Sequence, residues 1–288
     1  MNTIALLTAR GGSVRLPGKN IKMFNEIPLL AWSIIQAKCS RLISDTYLTT
    51  DSEEIAKIGE QYGAKIIMRP VYDNNVSAGH VLKLAVKELE ENNIIPDEIV
   101  YILPTSPLKK PNDLDNLIGS FHTINSFGNC NDLGVFSPDK ECYIYKNIDD
   151  MLDHYGIPYQ LNPVIADKSW KYSKFVGGWG IAKKEYLMDF WNNQGMYDSV
   201  IDSKLKDIDI NEKLSGFAIE PWQCFETDYE EQFRLCEIIM EEFILKGKGI
   251  YAYTDYAKSY GRDIEFNNNQ LNLFEKYAGN SKQLGENK

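Results

Sequence analysis

Short apolar segments alternate with segments of helical periodicity along the first half of the chain, and this order of elements most limits the available folds. Strands are predicted at 4–8, 46–50, 65–68 and 99–103, and helices at 28–39, 51–63, 77–91 and 114–121. Asp51 and Glu54 form a capping-box pattern at the start of the second helix. Because right-handed crossovers between parallel strands place helices on both faces of a sheet, the alternation predicts an α/β fold with a doubly wound, mostly parallel sheet.

The regular alternation stops near residue 125, where aromatic, Asp and Asn residues replace the helical period. We interpret about 130–175 as an inserted cap or dimerisation region within a domain of residues 1–246. Further strands are predicted at 133–137, 176–182 and 216–220, and helices at 184–191 and 228–246. Residues 247–288 are polar and are predicted to form a C-terminal extension that is partly disordered.

Acidic residues outnumber basic residues, 41 to 31, which gives a formal net charge of −10. A negative surface repels polyanions, so we expect no nucleic-acid partner, and a phosphate ligand would need a local basic site. The five cysteines include no C-x-x-C pair and are expected to be free thiols in the cytoplasm. No apolar run approaches the roughly 18 residues of a membrane-spanning helix, so no membrane partner is expected.

The densest cluster of functional residue types follows the first predicted strand. Arg10, Arg15 and Lys19 supply positive charge there, and neighbouring glycines allow backbone N–H groups to approach an anion closely. Open α/β sheets bind ligands at the carboxyl ends of their strands, which is where this segment lies. The segment therefore indicates a site for a nucleoside triphosphate, although a Gly-rich turn with surface cations is the alternative.

Two common phosphate-binding motifs do not fit this segment. A P-loop requires four residues between its glycines and a Ser or Thr after the lysine, whereas five separate Gly12 from Gly18 and Asn20 follows Lys19. A dinucleotide-binding fingerprint is also excluded, because Gly11 and Gly12 are adjacent.

The segment A-R-G-G-S-V-R-L-P-G-K-N, residues 9–20, resembles the signature loop of the acylneuraminate cytidylyltransferases, which make CMP-sialic acid and related CMP-nonulosonic acids. Further matches follow in the same order: T-D-S-E-E-I-A at 50–56, R-P at 69–70, P-T-S-P-L at 104–108, and P-W-Q with E-T-D at 221–228. The resemblance covers roughly residues 1 to 246, and the loop is also similar to that of the CMP-Kdo synthetases.

The resemblance implies a Rossmann-like nucleotidyltransferase that transfers CMP from CTP to a hydroxyl of an acidic sugar, releases pyrophosphate and serves surface glycan or capsule synthesis. Arg10 and Lys19 would hold the phosphates, and with Asp228 they are the predicted catalytic residues. The full predicted nucleotide site is Arg10, Gly11, Gly12, Ser13, Arg15, Lys19, Asn20, Arg69, Ser77, Ala78, Thr105 and Ser106. Arg69 as a surface cation and P-T-S-P-L as a plain turn are the alternatives.

Glu226 and Asp228 are the predicted ligands of a Mg²⁺ cofactor. In an extended segment, side chains two residues apart point to one face, and carboxylate oxygens are ligands that Mg²⁺ prefers. The family carries an Asp-x-Asp pair here, so Glu226 is a departure with one more methylene. The alternative is that Asp228 caps the helix predicted to begin there.

The residues predicted to bind the acceptor are Leu103, Lys171, Lys174 and Gly177. Leu103 and Val176 stand where the family often has Gln and Asn, and Val14 stands where it usually has Lys. These departures leave two alternatives open: transfer to another small acid, such as a Kdo-type sugar or a phosphonate, or a catalytically silent nucleotide-binding protein. The lysines can equally form a solvated basic face. The resemblance also implies a homodimer that pairs through the cap.

Overall fold

A computed structural model describes residues 1–73, 76–127, 130, 132–138, 173–190, 214–264 and 266. Its strands are β1 (Thr3–Ala9), β2 (Met23–Phe24), β3 (Ile27–Pro28), β4 (Asp45–Thr50), β5 (Lys65–Met68), β6 (Glu98–Ile102), β7 (Asp132–Pro138), β8 (Ser173–Lys183) and β9 (Leu214–Ala218). Its α-helices are α1 (Leu29–Lys38), α2 (Glu53–Gln61), α3 (Ala78–Glu91), α4 (Asp113–Phe127), α5 (Lys184–Phe190), α6 (Glu230–Met240) and α7 (Tyr251–Ser259).

The main sheet has seven strands in the order β5-β4-β1-β6-β8-β7-β9. The β5-β4, β4-β1, β1-β6 and β7-β9 pairs are parallel, and β8 runs antiparallel to both of its neighbours. The predicted mostly parallel sheet is confirmed. Since the chain passes from β1 to one side of the sheet and returns to the other side at β6, the carboxyl ends of β1 and β6 flank the switch point where such folds bind ligands.

Alternate residues of β1 face two separate cores. Ala5 and Leu7 pack with α1 and the C-terminal helices in one apolar cluster, whereas Ile4 and Leu6 pack with α3 in the other. A strand buried on both faces is apolar at successive positions, which explains the continuous apolar run at the start of the chain. The doubly wound arrangement is confirmed.

Two predicted helix starts are wrong in a way that bears on the site. Ser52, not Asp51, caps α2, because the Ser52 hydroxyl accepts from the Ile55 N–H at 3.4 Å. Helix α6 begins at Glu230 and not at Asp228, and its ladder widens into a π-helical turn at Glu241–Leu245. Both aspartates are therefore available for contacts away from the helix ends.

The strands predicted at 133–137, 176–182 and 216–220 lie in or beside β7, β8 and β9, while most of the predicted cap lies outside the described residues. Beyond residue 246, α7 inserts Tyr253 and Ala257 into the larger core, each 0% exposed. The start of the polar extension therefore packs on the main domain, and the domain limits proposed above stay a prediction. Within the described part of the chain, no helix is long and apolar enough to cross a membrane.

Candidate nucleotide site at the switch point

The Gly-rich loop after β1 closes back on itself through polar side chains. Gly18 has a φ of 65°, a left-handed conformation that favours glycine, and it leads into a short 3₁₀ turn at Lys19–Ile21. The Asn20 amide donates to the Arg10 carbonyl at 3.0 Å and fixes the width of the loop. Lys19 and Asn20 are each 7% exposed, so this end of the loop packs into the protein.

Two of the predicted phosphate-binding cations converge on one carboxylate. Lys19 Nζ lies 2.6 Å from Asp228 Oδ1, and Arg15 Nη1 lies 2.7 Å from Asp228 Oδ2. The Lys19 side chain is 9% exposed and that of Asp228 20%, whereas Arg15 is 58% exposed. The structure thus brings together residues far apart in sequence that were predicted to share a catalytic site.

Asp228 does not cap α6. Its backbone N–H and that of Tyr229 donate to the Gln232 side chain, both at 3.2 Å, while its carboxylate points to the cations. The competing interpretation of Asp228 as a helix cap is therefore wrong.

Asp51 is a buried strut behind the loop, and sequence reasoning missed this role. Its Oδ1 accepts from the Gly11 N–H at 2.7 Å and its Oδ2 from Arg69 Nη1 at 3.0 Å. Both side chains are 8% exposed, so the pair is shielded from solvent. The Gly11 N–H thus already has a hydrogen-bond partner within the protein. The sequence signal for this role of Asp51 was an Asp directly after a strand end.

Three further residues predicted to bind the nucleotide lie directly after β5 and at the start of α3: Arg69, Ser77 and Ala78. The Arg69 guanidinium lies 5.2 Å from the centroid of the Tyr72 ring, and its buried Nε has no hydrogen-bond partner among the described residues. The Arg69 side chain is 8% exposed and pairs with Asp51, so Arg69 is not a surface cation. Ser77 caps α3 by accepting from the His80 N–H at 3.2 Å, which places Ala78 in the first turn of the helix.

The loop after β6 carries Thr105 and Ser106 to the other side of the switch point. The Ser106 hydroxyl donates to Glu226 Oε1 at 3.1 Å, and the Thr227 N–H donates to the Thr105 carbonyl at 2.9 Å. The P-T-S-P-L segment therefore does more than turn the chain, because it fastens the Glu226–Asp228 segment. That segment is not part of a strand, so the strand periodicity used to align the two carboxylates does not apply.

The predicted acceptor side lies at an irregularity of β8. Gly134 pairs with Gly180 and Val135 with Val176, so 177–179 form a bulge in the pairing with β7, while Trp179 stays paired with Ile102 of β6. The Leu103 N–H donates to the Gly178 carbonyl at 2.6 Å, which brings the position after β6 to this bulge beside Gly177. Lys174 lies in β8, and Lys171 falls outside the described residues.

Gly178 leaves no space for a side chain. An added Cβ would lie 1.7 Å from Ser106 Oγ and 3.5 Å from Glu226 Oε1. The absent side chain at Gly178 lets Ser106 reach Glu226.

Lys109 is a second residue that sequence reasoning missed. It is 0% exposed, and its Nζ donates to the Ser106 carbonyl. Burial lowers the pKa of Lys109 to about 7, although the charge of Asp113 acts in the opposite direction. A lysine directly after an apolar P-L pair gives no sequence signal of burial.

Glu226 and Asp228 provide the donor set that suits Mg²⁺. This ion retains several waters and binds through one or two carboxylates together with substrate phosphates, so a cage of protein ligands is not needed. The described residues contain no group of three or more His, Cys, Asp or Glu placed to hold a metal. The two carboxylates are of the donor type that Mg²⁺ prefers, and the metal site itself stays a prediction.

These features define a Rossmann-like nucleotidyltransferase fold, with cations and carboxylates at the switch point. The CMP:2-keto-3-deoxy-manno-octonic acid synthetase structure, solved with CTP, superposes with a TM-score of 0.59 at 14% identity, covering 84% of this chain and 99% of that one.

Within that class, the resemblance to the acylneuraminate cytidylyltransferases is confirmed. Residues 4–127 match the family model described as Cytidylyltransferase. CMP-N,N'-diacetyllegionaminic acid synthase of Legionella pneumophila is 31% identical over 121 residues, 41% of this chain and 52% of that protein. N-acylneuraminate cytidylyltransferase of Escherichia coli is 26% identical over 284 residues, 92% of this chain and 64% of that protein. The chain spans about half the length of the first curated relatives it matches.

Proposed function

We propose that this protein transfers CMP from CTP to a hydroxyl of an acidic sugar of the nonulosonic acid class and releases pyrophosphate. The observation that carries the proposal is the convergence of Lys19, Arg15 and Asp228 at the carboxyl end of β1, beside a closed Gly-rich loop. Such a cluster suits a triphosphate whose charge must be neutralised. The similarity to CMP-sugar synthases of bacteria supports the cytidine base and the sugar class.

In the proposed reaction, the sugar hydroxyl oxygen attacks the α-phosphorus of CTP in line with the leaving group. The bond from the α-phosphorus to the bridging oxygen breaks, pyrophosphate leaves, and the hydroxyl proton passes to a general base. Lys19, Arg15 and Arg10 hold the phosphates and offset the negative charge that grows on the leaving group. Positioning and charge neutralisation supply the catalysis, without a covalent enzyme intermediate.

Asp228 has two roles in this proposal. Before the nucleotide binds, its carboxylate neutralises Lys19 and Arg15. The triphosphate competes for both cations and thereby releases the carboxylate, which together with Glu226 is then available for Mg²⁺. When bound, Mg²⁺ would neutralise phosphate charge and orient the triphosphate. The competition couples nucleotide binding to assembly of the metal site.

The acceptor is proposed to bind near Leu103 and Gly177, at the bulge of β8. The Leu103 N–H bond to Gly178 keeps this side of the site next to Ser106 and Glu226. A nonpolar Leu103 favours an acceptor that meets an apolar wall at this position. The proposal also includes a homodimer and a reducing compartment. The compartment is consistent with the four described cysteines, which are free thiols. Burial raises the pKa of the Cys39 and Cys236 thiols to about 12.

The test is pyrophosphate release with each of the four nucleoside triphosphates and Mg²⁺, offered sialic, legionaminic, pseudaminic and Kdo-type acids, with mass spectrometry of the products. We expect a CMP-sugar from CTP alone and from a nonulosonic acid. If only the Kdo-type acid forms a CMP adduct, the acceptor is a Kdo-type acid and not a nonulosonic acid. CTP binding with no product from any acid would overturn the proposed reaction in favour of a phosphonate acceptor or a silent nucleotide binder. Light scattering at micromolar concentration tests the dimer, which a monomeric mass would refute.

A further inference from the structure

Lys109 occupies a place in the core where a charged side chain is costly. It is 0% exposed, and its Nζ lies 5.6 Å from the centroid of the Trp179 ring. Burying a charged group costs several kcal/mol, and replacing buried ionic groups with apolar residues of similar volume is often neutral or stabilising. The stability of the fold therefore does not explain a lysine at this position.

The contact that Lys109 makes leads to the proposed metal site. Its Nζ donates to the carbonyl of Ser106, and the hydroxyl of the same Ser106 donates to Glu226 Oε1 at 3.1 Å. Ser106 is 1% exposed and packs so tightly against Gly178 that no Cβ fits there. A small rotation of the Ser106 backbone would therefore move its hydroxyl relative to Glu226, because the surrounding space offers no second position.

The polar groups around Lys109 fasten the other end of the same segment. Asp113 Oδ2 accepts from Gln223 Nε2 at 2.6 Å and from the Lys110 N–H at 2.7 Å. Gln223 also donates to the Leu108 carbonyl at 2.8 Å and comes shortly before Glu226 in the chain. The loop after β6 and the segment that carries the two carboxylates are thus joined by hydrogen bonds on both sides of Lys109.

We propose that Lys109 is a positioning residue for cytidylyl transfer, which fixes the Ser106 carbonyl and through the Ser106 hydroxyl orients the Glu226 carboxylate. The proposal rests on the function proposed above. Because Lys109 acts on the metal-binding side of the site, its loss changes the requirement for Mg²⁺ and leaves the Mg²⁺-free contacts of the nucleotide intact.

The test compares Lys109→Met with Lys110→Met. Lys110 is the matched control because its partly exposed Nζ lies 3.8 Å from Glu220 and away from Ser106. Calorimetry measures CTP affinity with and without Mg²⁺, and pyrophosphate release measures kcat across Mg²⁺ concentrations. For Lys109→Met we expect the half-saturating Mg²⁺ concentration to rise about 10-fold to 100-fold, as for loss of other groups that orient metal ligands. Mg²⁺-free CTP affinity should stay within about twofold, and Lys110→Met should match the wild type.

A Ser106→Ala background tests the route. If Lys109 acts through the Ser106 hydroxyl, Lys109→Met adds little to the Mg²⁺ requirement of Ser106→Ala, whereas additive effects would overturn the proposal. An unchanged Mg²⁺ requirement in a folded Lys109→Met protein, as judged by its thermal melting curve, would also overturn it. If Lys109→Met does not fold, Ser106→Ala is the test. A wild-type Mg²⁺ requirement in that variant would mean that the Ser106 hydroxyl does not orient Glu226, and would overturn the proposal. A wild-type protein that makes no CMP-sugar rejects the proposed function instead, and calorimetry still reports on Lys109.

Discussion

Replacing Asp228 by Asn is expected to strengthen Mg²⁺-free CTP binding while weakening turnover. The Asp228 carboxylate lies 2.6 Å from Lys19 Nζ and 2.7 Å from Arg15 Nη1, so a triphosphate must displace it before both cations can hold phosphate. Asn has the same shape and no charge. It therefore releases the cations, and at the same time it removes a proposed Mg²⁺ ligand.

The size of the effect follows from burial. The Lys19 side chain is 9% exposed, and hydrogen bonds to charged groups at such sites contribute about 1.5–3 kcal/mol. Arg15 is 58% exposed, and solvent screening limits its pair with Asp228 to about 0–1 kcal/mol. Loss of about 1.5–3 kcal/mol of competition corresponds to CTP binding roughly 10-fold to 100-fold tighter, since 1.4 kcal/mol is tenfold. Turnover should fall about 10²-fold to 10³-fold, as when one charge-stabilising group is removed.

Isothermal calorimetry in EDTA gives the Mg²⁺-free Kd, and pyrophosphate release with saturating Mg²⁺ gives kcat, both at one ionic strength because salt screens these pairs. The control is Glu230→Gln, which makes the same carboxylate-to-amide change in the first turn of α6, where Glu230 pairs with Lys22 and Arg234. It should leave both constants near the wild-type values. Weaker or unchanged Mg²⁺-free binding by Asp228→Asn would refute the competition between carboxylate and triphosphate.

Three further predictions concern Gly178, Lys19 and Asp132. Gly178→Ala places a Cβ 1.7 Å from Ser106 Oγ, so we expect about 1–3 kcal/mol of destabilisation in urea unfolding and loss of turnover. Gly119→Ala is the control: it lies in a helix, its added Cβ has nothing within 4 Å, and the free energy of unfolding should be unchanged or slightly higher. Lys19→Ala should lower kcat about 10²-fold or more in the pyrophosphate assay, with circular dichroism showing a folded protein, because Arg15 still pairs with Asp228. Burial raises the pKa of Asp132 to about 7, so the folded state keeps a proton that the unfolded chain loses near pH 4. The free energy of unfolding should therefore fall as the pH rises from about 4 to 7. Asp132→Asn should remove that slope, and an identical slope in both proteins would contradict the prediction.

The elements of the sheet were predictable because each is encoded locally. The apolar run at β1 and the helical stripe of α3 need no distant partner to be recognised, and the observed bounds differ from the predicted ones by a residue or two at most ends. Helix starts were less predictable. Asp51 and Asp228 both have the short carboxylate of a good cap, but each is taken by a cation from another part of the chain.

The residues of the candidate site could be predicted from the sequence, but the contacts between them could not. The Gly-rich loop predicted Lys19 and Arg15 as phosphate ligands, and the E-T-D segment predicted Asp228 as a metal ligand. That the same residues neutralise one another depends on the chain folding back onto the loop across a sequence separation of 209. Lys109 carried no local signal, and the position of Asp51 directly after a strand end did not reveal its partners. Burial and pairing of a charged side chain are properties of the packed molecule.

The sequence by itself determined the alternation of strands and helices, the loop at the end of the first strand, and the resemblance to the cytidylyltransferases, since periodicity and contiguous motifs are local properties. Only the tertiary structure decided which carboxylate meets which cation, that Ser106 fills the space a side chain at Gly178 would need, and that Lys109 is buried against the Ser106 carbonyl. The physical reason is that strand order and close packing bring together groups whose separation along the chain carries no information about their distance.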